Sequence, residues 1–214
     1  MTCRHRIAAP MPPPTTGRVD RTPLPDAGAQ LRDGPSCFGF AACNALLALG
    51  LEAPDPVAVW ALACDLDGLD ERTNRTTGTT GGAAVEAACR LLPGTPALWT
   101  EVPPASACEW LFHNGPLVAA IRWNYARVGL VGRTARRVPE LAGGNHAVCL
   151  CGYDPAHRTG LFRKRPCYLV IDSQRRGGHR YWIPSADLHL SGDLLGAWAF
   201  VPVAASGREG GPQA

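Results

Sequence analysis

The sequence predicts an α+β fold, with a helical half followed by an antiparallel β half. Three observations carry this expectation. The run from Cys37 to Leu49 is apolar nearly all the way round and is bounded by Gly34-Pro35 and Gly50, as a buried helix would be. Further helix-length segments follow as far as about residue 115, each with its own start or stop signal. Beyond Gly115 the texture changes to five short apolar runs separated by turn-rich links, which read as strands.

Taken in order, residues 1 to about 28 are rich in proline, threonine and alanine and read as a mobile arm. In the central helix Ser36 stands where a capping side chain belongs, and Gly50 occupies the usual stop position. The first turn carries Cys37, where unpaired backbone N–H groups and the helix dipole favour thiolate over thiol. A cysteine there is either a small core hydrophobe or a sulfur nucleophile, and the helix alone does not choose.

Asp55-Pro56 pairs a capping carboxylate with proline at the first helical position, and Val57, Trp60, Ala61 and Cys64 follow along one face. Leu66 to Gly78 is polar and reads as a loop. Gly78-Thr79-Thr80-Gly81-Gly82 then leads into a helix through Ala83, Val85, Ala87, Ala88, Leu91 and Leu92, closed by Pro93-Gly94. Ser106-Ala107-Cys108-Glu109 has the capping-box pattern of a short helix ending near Asn114-Gly115. The five strands are expected at 116–123, 145–153, 168–173, 178–183 and 196–201, with the boundary between halves near residues 100 to 115.

At 214 residues the chain is long enough for a sizeable core, as one domain or two small lobes. Net charge is only +3, and the basic residues are scattered with no interleaved aromatic stripe, so nucleic acid is not an expected partner. Arg163-Lys164-Arg165 and Arg175-Arg176 read as solvated loops. No signal peptide or transmembrane helix is legible, and nine cysteines suit a reducing compartment, so a cytoplasmic protein without a membrane partner is expected. No two cysteines stand at C-x-x-C spacing and no histidine lies at finger distance from a pair, so neither a metal nor another cofactor is expected. Cys149 and Cys151 alternate along one strand and face the same side, which disfavours a disulfide between them. Cys43, Cys64, Cys89 and Cys108 read as core packing.

Three stretches in order carry a resemblance. They are Ser36-Cys37-Phe38-Gly39-Phe40-Ala41, Asn145-His146-Ala147-Val148-Cys149-Leu150-Cys151-Gly152-Tyr153, and Tyr168-Leu169-Val170-Ile171-Asp172-Ser173. Together they resemble the papain-like cysteine peptidase family, over about residues 30 to 202. The resemblance implies a two-lobe fold, with a helical lobe at about 30–110, a β lobe at about 115–203, and an active site in the cleft between them. Within a peptidase domain spanning 29–205 it assigns Cys37 as nucleophile, His146 as general acid/base and Asp172 as the orienting residue, followed by a flexible tail at 206–214. The remaining histidines, His113 and His179 among them, read as surface or packing residues. The substrate would be a peptide or protein. The same three residues serve an acyltransferase or amidase equally well, and a pseudo-peptidase that only binds peptides is the reading from a different class.

The departures from the family pattern are specific. Asp172 stands where the family has asparagine, Gln174 where it has a shielding tryptophan, and Phe38 where a tryptophan usually follows the nucleophile. Poorer screening of the His146–Asp172 pair is therefore expected. The segment Arg32-Asp33-Gly34-Pro35-Ser36 is shorter than the family's and lacks its oxyanion glutamine, leaving Gln30 as the nearest upstream amide to nominate for that role.

Overall fold

The central helix α1 (Cys37–Ala48) is preceded by strand β1 (Val19–Asp20) and ends as its glycine requires. Gly50 has φ 76°, its N–H reaches the Leu47 carbonyl at 2.9 Å, and the Leu51 N–H reaches Leu46 at 3.1 Å. That pair of bonds closes the helix with a Schellman motif. Ser36 does occupy the N-cap position, but its side chain caps nothing, so the expected serine cap is corrected. Helix α2 (Pro56–Leu66) starts as read, with Asp55 Oδ1 accepting from the N–H groups of Val57 at 2.7 Å and Ala58 at 3.3 Å. Helix α3 (Gly81–Leu91) is capped by Thr80, whose hydroxyl accepts from the Ala83 N–H at 3.1 Å.

The remaining elements are β2 (Ala97–Val102), a 3₁₀ turn at Pro104–Ser106, α4 (Ala107–His113), β3 (Leu117–Arg122), β4 (Tyr125–Arg127) and β5 (Ala135–Arg137). They continue with β6 (Asn145–Arg158), β7 (Lys164–Asp172), β8 (His179–Pro184), α5 (Ser185–Leu190) and β9 (Leu194–Pro202). The computed structural model describes residues 18–21, 27, 36–70, 78–92, 97–122, 125–127, 134–137, 144–173 and 179–202. Most of the proline-rich arm, the loop just before Ser36, Gln30, Gln174, Arg175-Arg176 and the tail from 206 lie outside the described residues.

Seven strands form one sheet in the order β2-β9-β3-β6-β7-β8, with β1 added to β6 and neighbouring strands antiparallel. Both faces are covered. Val118, Cys149, Leu169, Ile171, Trp182 and Phe200 pack one face against α1, α2 and α3. Ala119, Leu150, Tyr168, Val170, Ile183 and Ala197 pack the other against Leu111 of α4 and Leu188 of α5. A strand buried on both faces reads as a continuous apolar run, which is why the β half was legible without strict alternation. An irregularity at Leu150/Gly152 inserts one residue into β6. Cys149 and Cys151 then share a face while Tyr153, opposite Tyr168, turns to the other.

Several expectations need correction. β2, unread in the sequence, pairs along its whole length with the last strand, from Ala97↔Pro202 to Val102↔Ala197. Helix α5 was also unread. Ser106 makes no side-chain cap, because the preceding 3₁₀ turn delivers the chain to α4 without one. Lys164 and Arg165 belong to β7 rather than a loop. Cys43 and Cys64 are buried as read, and Cys89 and Cys108, half-buried, pack against the edge of the core. Within the stretch read as an arm, Val19–Asp20 pairs with Tyr153 and Gly152, and the Ala27 N–H binds Asn44 Oδ1 on α1 at 2.9 Å.

Candidate active site

Because Ser36 leaves the first turn of α1 uncapped, the amide groups there are free to face the Cys37 sulfur. The Phe38 N–H does so, and the Ala147 N–H reaches the same atom from β6. Helix α1 lies across β6, so its N-terminus meets the strand near its start, where His146 is the second residue. Cys37 and the His146 ring are hydrogen-bonded.

His146 and Asp172 are brought together by strand register. Cys149 pairs with Ile171, so extending that register puts Val148 opposite Asp172 and His146 two residues further along the same face. Diagonal neighbours of this kind lie within reach of long side chains. His146 Nε2 lies 2.9 Å from Asp172 Oδ1, and the two residues are 4% and 2% exposed. With Nε2 on the carboxylate, Nδ1 is the nitrogen left for the sulfur.

The other carboxylate oxygen is also held. The Tyr181 hydroxyl donates to Asp172 Oδ2 at 3.0 Å from the adjacent strand β8. Asp172 pairs with His179, which places Tyr181 on the diagonal of the same face. This residue was missed from sequence. The available signal was the carboxylate itself, since a buried aspartate in place of an amide needs a second donor. The expected poor screening is corrected accordingly: the His146–Asp172 pair is buried, with Tyr181 covering the second oxygen.

The electrostatics follow from these contacts. Burial alone would push the Cys37 thiol up, but the hydrogen bond and charge of His146, with the Ala147 and Phe38 amides, hold it below its ordinary value of 9.0. Burial alone would push His146 down, but the hydrogen bonds to Asp172 and Cys37 and their charges raise it to about 9. A lowered thiol beside a raised imidazole shifts the pair toward thiolate and imidazolium. The other cysteines with resolved shifts go the opposite way. Burial pushes Cys43 and Cys167 up to about 12, and Cys149 and Cys108 upward as well.

Beside the sulfur, Phe38 meets Trp198 edge-on, with ring centroids 5.8 Å apart and planes at 78°. Trp198 is packed directly over Gly81 at the start of α3, where an added Cβ would lie 2.2 Å from its ring. Trp198 thus links the start of α3 to the residue following Cys37. The structure brings Cys37, His146 and Asp172 together, while Gln30 lies outside the described residues.

No family model matches the sequence, and no curated protein matches it. Solved structures do. The chain is similar to xylellain, a cysteine protease from Xylella fastidiosa, with TM-score 0.56 and 15% identity over 93% of this chain and 94% of that one. It is also similar to digestive procathepsin L 3 of Tenebrio molitor larval midgut, with TM-score 0.55 and 16% identity over 88% of this chain and 70% of that one. The fold is papain-like. At these identities the likeness is one of architecture, and the papain-like fold here carries an α+β arrangement with Cys37 at the head of its central helix. Among the described residues, no helix is long and apolar enough to cross a membrane.

Proposed function

We propose that this chain is a cysteine peptidase that hydrolyses peptide bonds through an acyl-thioester on Cys37. The thiolate attacks the scissile carbonyl carbon, forming a C–S bond and moving the carbonyl electron pair onto oxygen. Collapse of that intermediate expels the amine, which takes its proton from the His146 imidazolium. Neutral His146 then removes a proton from water as the water attacks the thioester; collapse of this second intermediate breaks the C–S bond and releases the carboxylic acid, leaving thiolate beside imidazolium as at the start. Asp172 keeps Nε2 of the ring engaged, so that Nδ1 stays aimed at sulfur and leaving group.

The reading rests on one observation: a buried His146–Asp172 pair, 2.9 Å apart, hydrogen-bonded through the ring to a cysteine at a helix N-terminus. Such an arrangement both ionises the sulfur and stores the proton the leaving group needs. The oxyanion would receive the Cys37 backbone N–H and a second donor from upstream, for which Gln30 is the nominee.

The test is covalent labelling with an epoxysuccinyl probe, paired with cleavage of a peptide library. Labelling at Cys37, and cleavage abolished by Cys37→Ser, is the expected result. Labelling without cleavage of any peptide would replace peptidase with a transferase or amidase. Peptide binding without labelling would replace it with a binding module.

A further inference from the structure

The β6–β7 hairpin ends in an apolar tip set in a basic collar. Leu161 is 75% exposed and Phe162 97% exposed, at the turn joining the two strands. The turn is well braced rather than loose. The Thr159 N–H bonds the Arg163 carbonyl at 2.9 Å, and Arg158 Nη2 bonds the Leu161 carbonyl at 3.0 Å. The strands pair up to the tip through His157↔Arg165 and Arg158↔Lys164. Two large apolar side chains are thus held out into solvent by ordered backbone.

Around them the charge has one sign. Arg158, Arg163 and Lys164 are exposed and Arg165 is half-buried. Between Asp154 and Asp172 the chain carries no acid, and these four residues exceed the whole chain's net charge of +3. The nearest acid along β6, Asp154, is turned inward, accepting from the Ala156 N–H at 2.9 Å and lying 3.7 Å from His157. Asp187 of α5 acts on Cys167 alongside Arg165, at the base of the collar.

We propose that this hairpin tip docks the protein onto an anionic lipid surface. Leu161 and Phe162 enter the headgroup boundary, and Arg158, Arg163, Lys164 and Arg165 meet the lipid phosphates and carboxylates. A projecting tip needs a deformable receiver, which a bilayer interface is, whereas a protein partner would need a matching pocket. Apolar side chains with a polybasic rim supply the two signals that stable surface attachment takes. The dimensions are consistent with catalysis from that position. His146 and Arg158 stand at opposite ends of β6, a separation of roughly 30–35 Å at the usual strand rise once its two irregularities are allowed for. A tip in the lipid leaves the Cys37 site clear of it, and the proposal does not depend on what that site does.

The test is vesicle flotation of the full chain with phosphatidylcholine vesicles, with and without phosphatidylserine, at low and high salt. The expected result is flotation with the serine-containing vesicles alone, weakened by salt. Leu161→Ser with Phe162→Ser should weaken it by about tenfold or more. Arg163→Glu with Lys164→Glu should also weaken it, each lost basic residue counting for roughly fivefold before reversal adds to it. Far-ultraviolet circular dichroism and the thermal unfolding midpoint should be the same in all variants, which reports that they fold. Three results would each overturn the proposal: no flotation of the wild-type chain; flotation that survives loss of Leu161 and Phe162; or self-association through the tip, lost in the serine variant, without any flotation.

Discussion

Tyr181 donates its hydroxyl to Oδ2 of Asp172 at 3.0 Å, so the carboxylate that holds His146 on one oxygen is itself held on the other. Removing that hydroxyl takes one hydrogen bond from a buried carboxylate, which costs about 1–3 kcal/mol. Tyr181→Phe should therefore lower the unfolding free energy by that amount in a denaturant titration. An unchanged midpoint would mean that another group takes over Oδ2.

Asp172 also separates charge from geometry. An asparagine at this position could accept from His146 Nε2 and donate to the Tyr181 oxygen, keeping the ring oriented. It would not supply the negative charge that helps raise His146 to about 9. Asp172→Asn should retain much of the turnover with its alkaline limb moved to lower pH, while Asp172→Ala should lose turnover substantially. The pH–rate profiles of both variants check this, and two harmless substitutions would remove Asp172 from the site.

The sign of the pH dependence follows from the two shifts. Below its lowered pKa Cys37 is a thiol, so activity rises as it ionises. His146 keeps its proton up to about pH 9, so activity falls as pH passes through that value. Among the cysteines with resolved shifts, Cys37 alone is lowered, and Cys43 and Cys167 sit near 12. Iodoacetamide mapping at about pH 6, well below the free-thiol range, should find Cys37 first. Preferential modification of Cys43 or Cys151 would count heavily against the assignment.

Gln30→Ala should cut turnover by roughly 100- to 1,000-fold, the usual effect of losing one oxyanion donor. Alkylation of Cys37 and substrate binding should change little. Full activity in this variant would take Gln30 out of the mechanism.

Two glycines should resist a methyl group for different reasons. At Gly81 the added Cβ would lie 2.2 Å from the Trp198 ring, and at Gly39 it would lie 2.2 Å from the Pro56 backbone carbonyl. A ring can tilt, but a helix backbone must move bodily. Both alanine variants should be destabilised by about 1–3 kcal/mol, with Gly39→Ala the worse of the two. Thermal denaturation of the pair gives the ranking, and a more stable Gly39→Ala would contradict the close approach of α1 and α2.

The sequence by itself determined what depends on neighbours along the chain. Asp55-Pro56 starts α2, Gly50 stops α1, and the apolar circumference of 37–49 buries that helix, because capping and backbone preferences act within a few residues. The order of Cys37, His146 and Asp172 was likewise legible, since each sits at the end of an element with a local signal. Only the tertiary structure decided what depends on segments far apart. β2 becomes a strand because β9, about a hundred residues later, offers it a partner edge. Gln174 in the expected shielding position suggested an exposed pair, yet Tyr181 arrives from β8 on a diagonal that no local pattern specifies. Arg163, Lys164 and Arg165 read as one more solvated loop until strand pairing placed them around Leu161 and Phe162. Side-chain partners across a sheet are fixed by register, and register is set by pairings that the linear order does not contain.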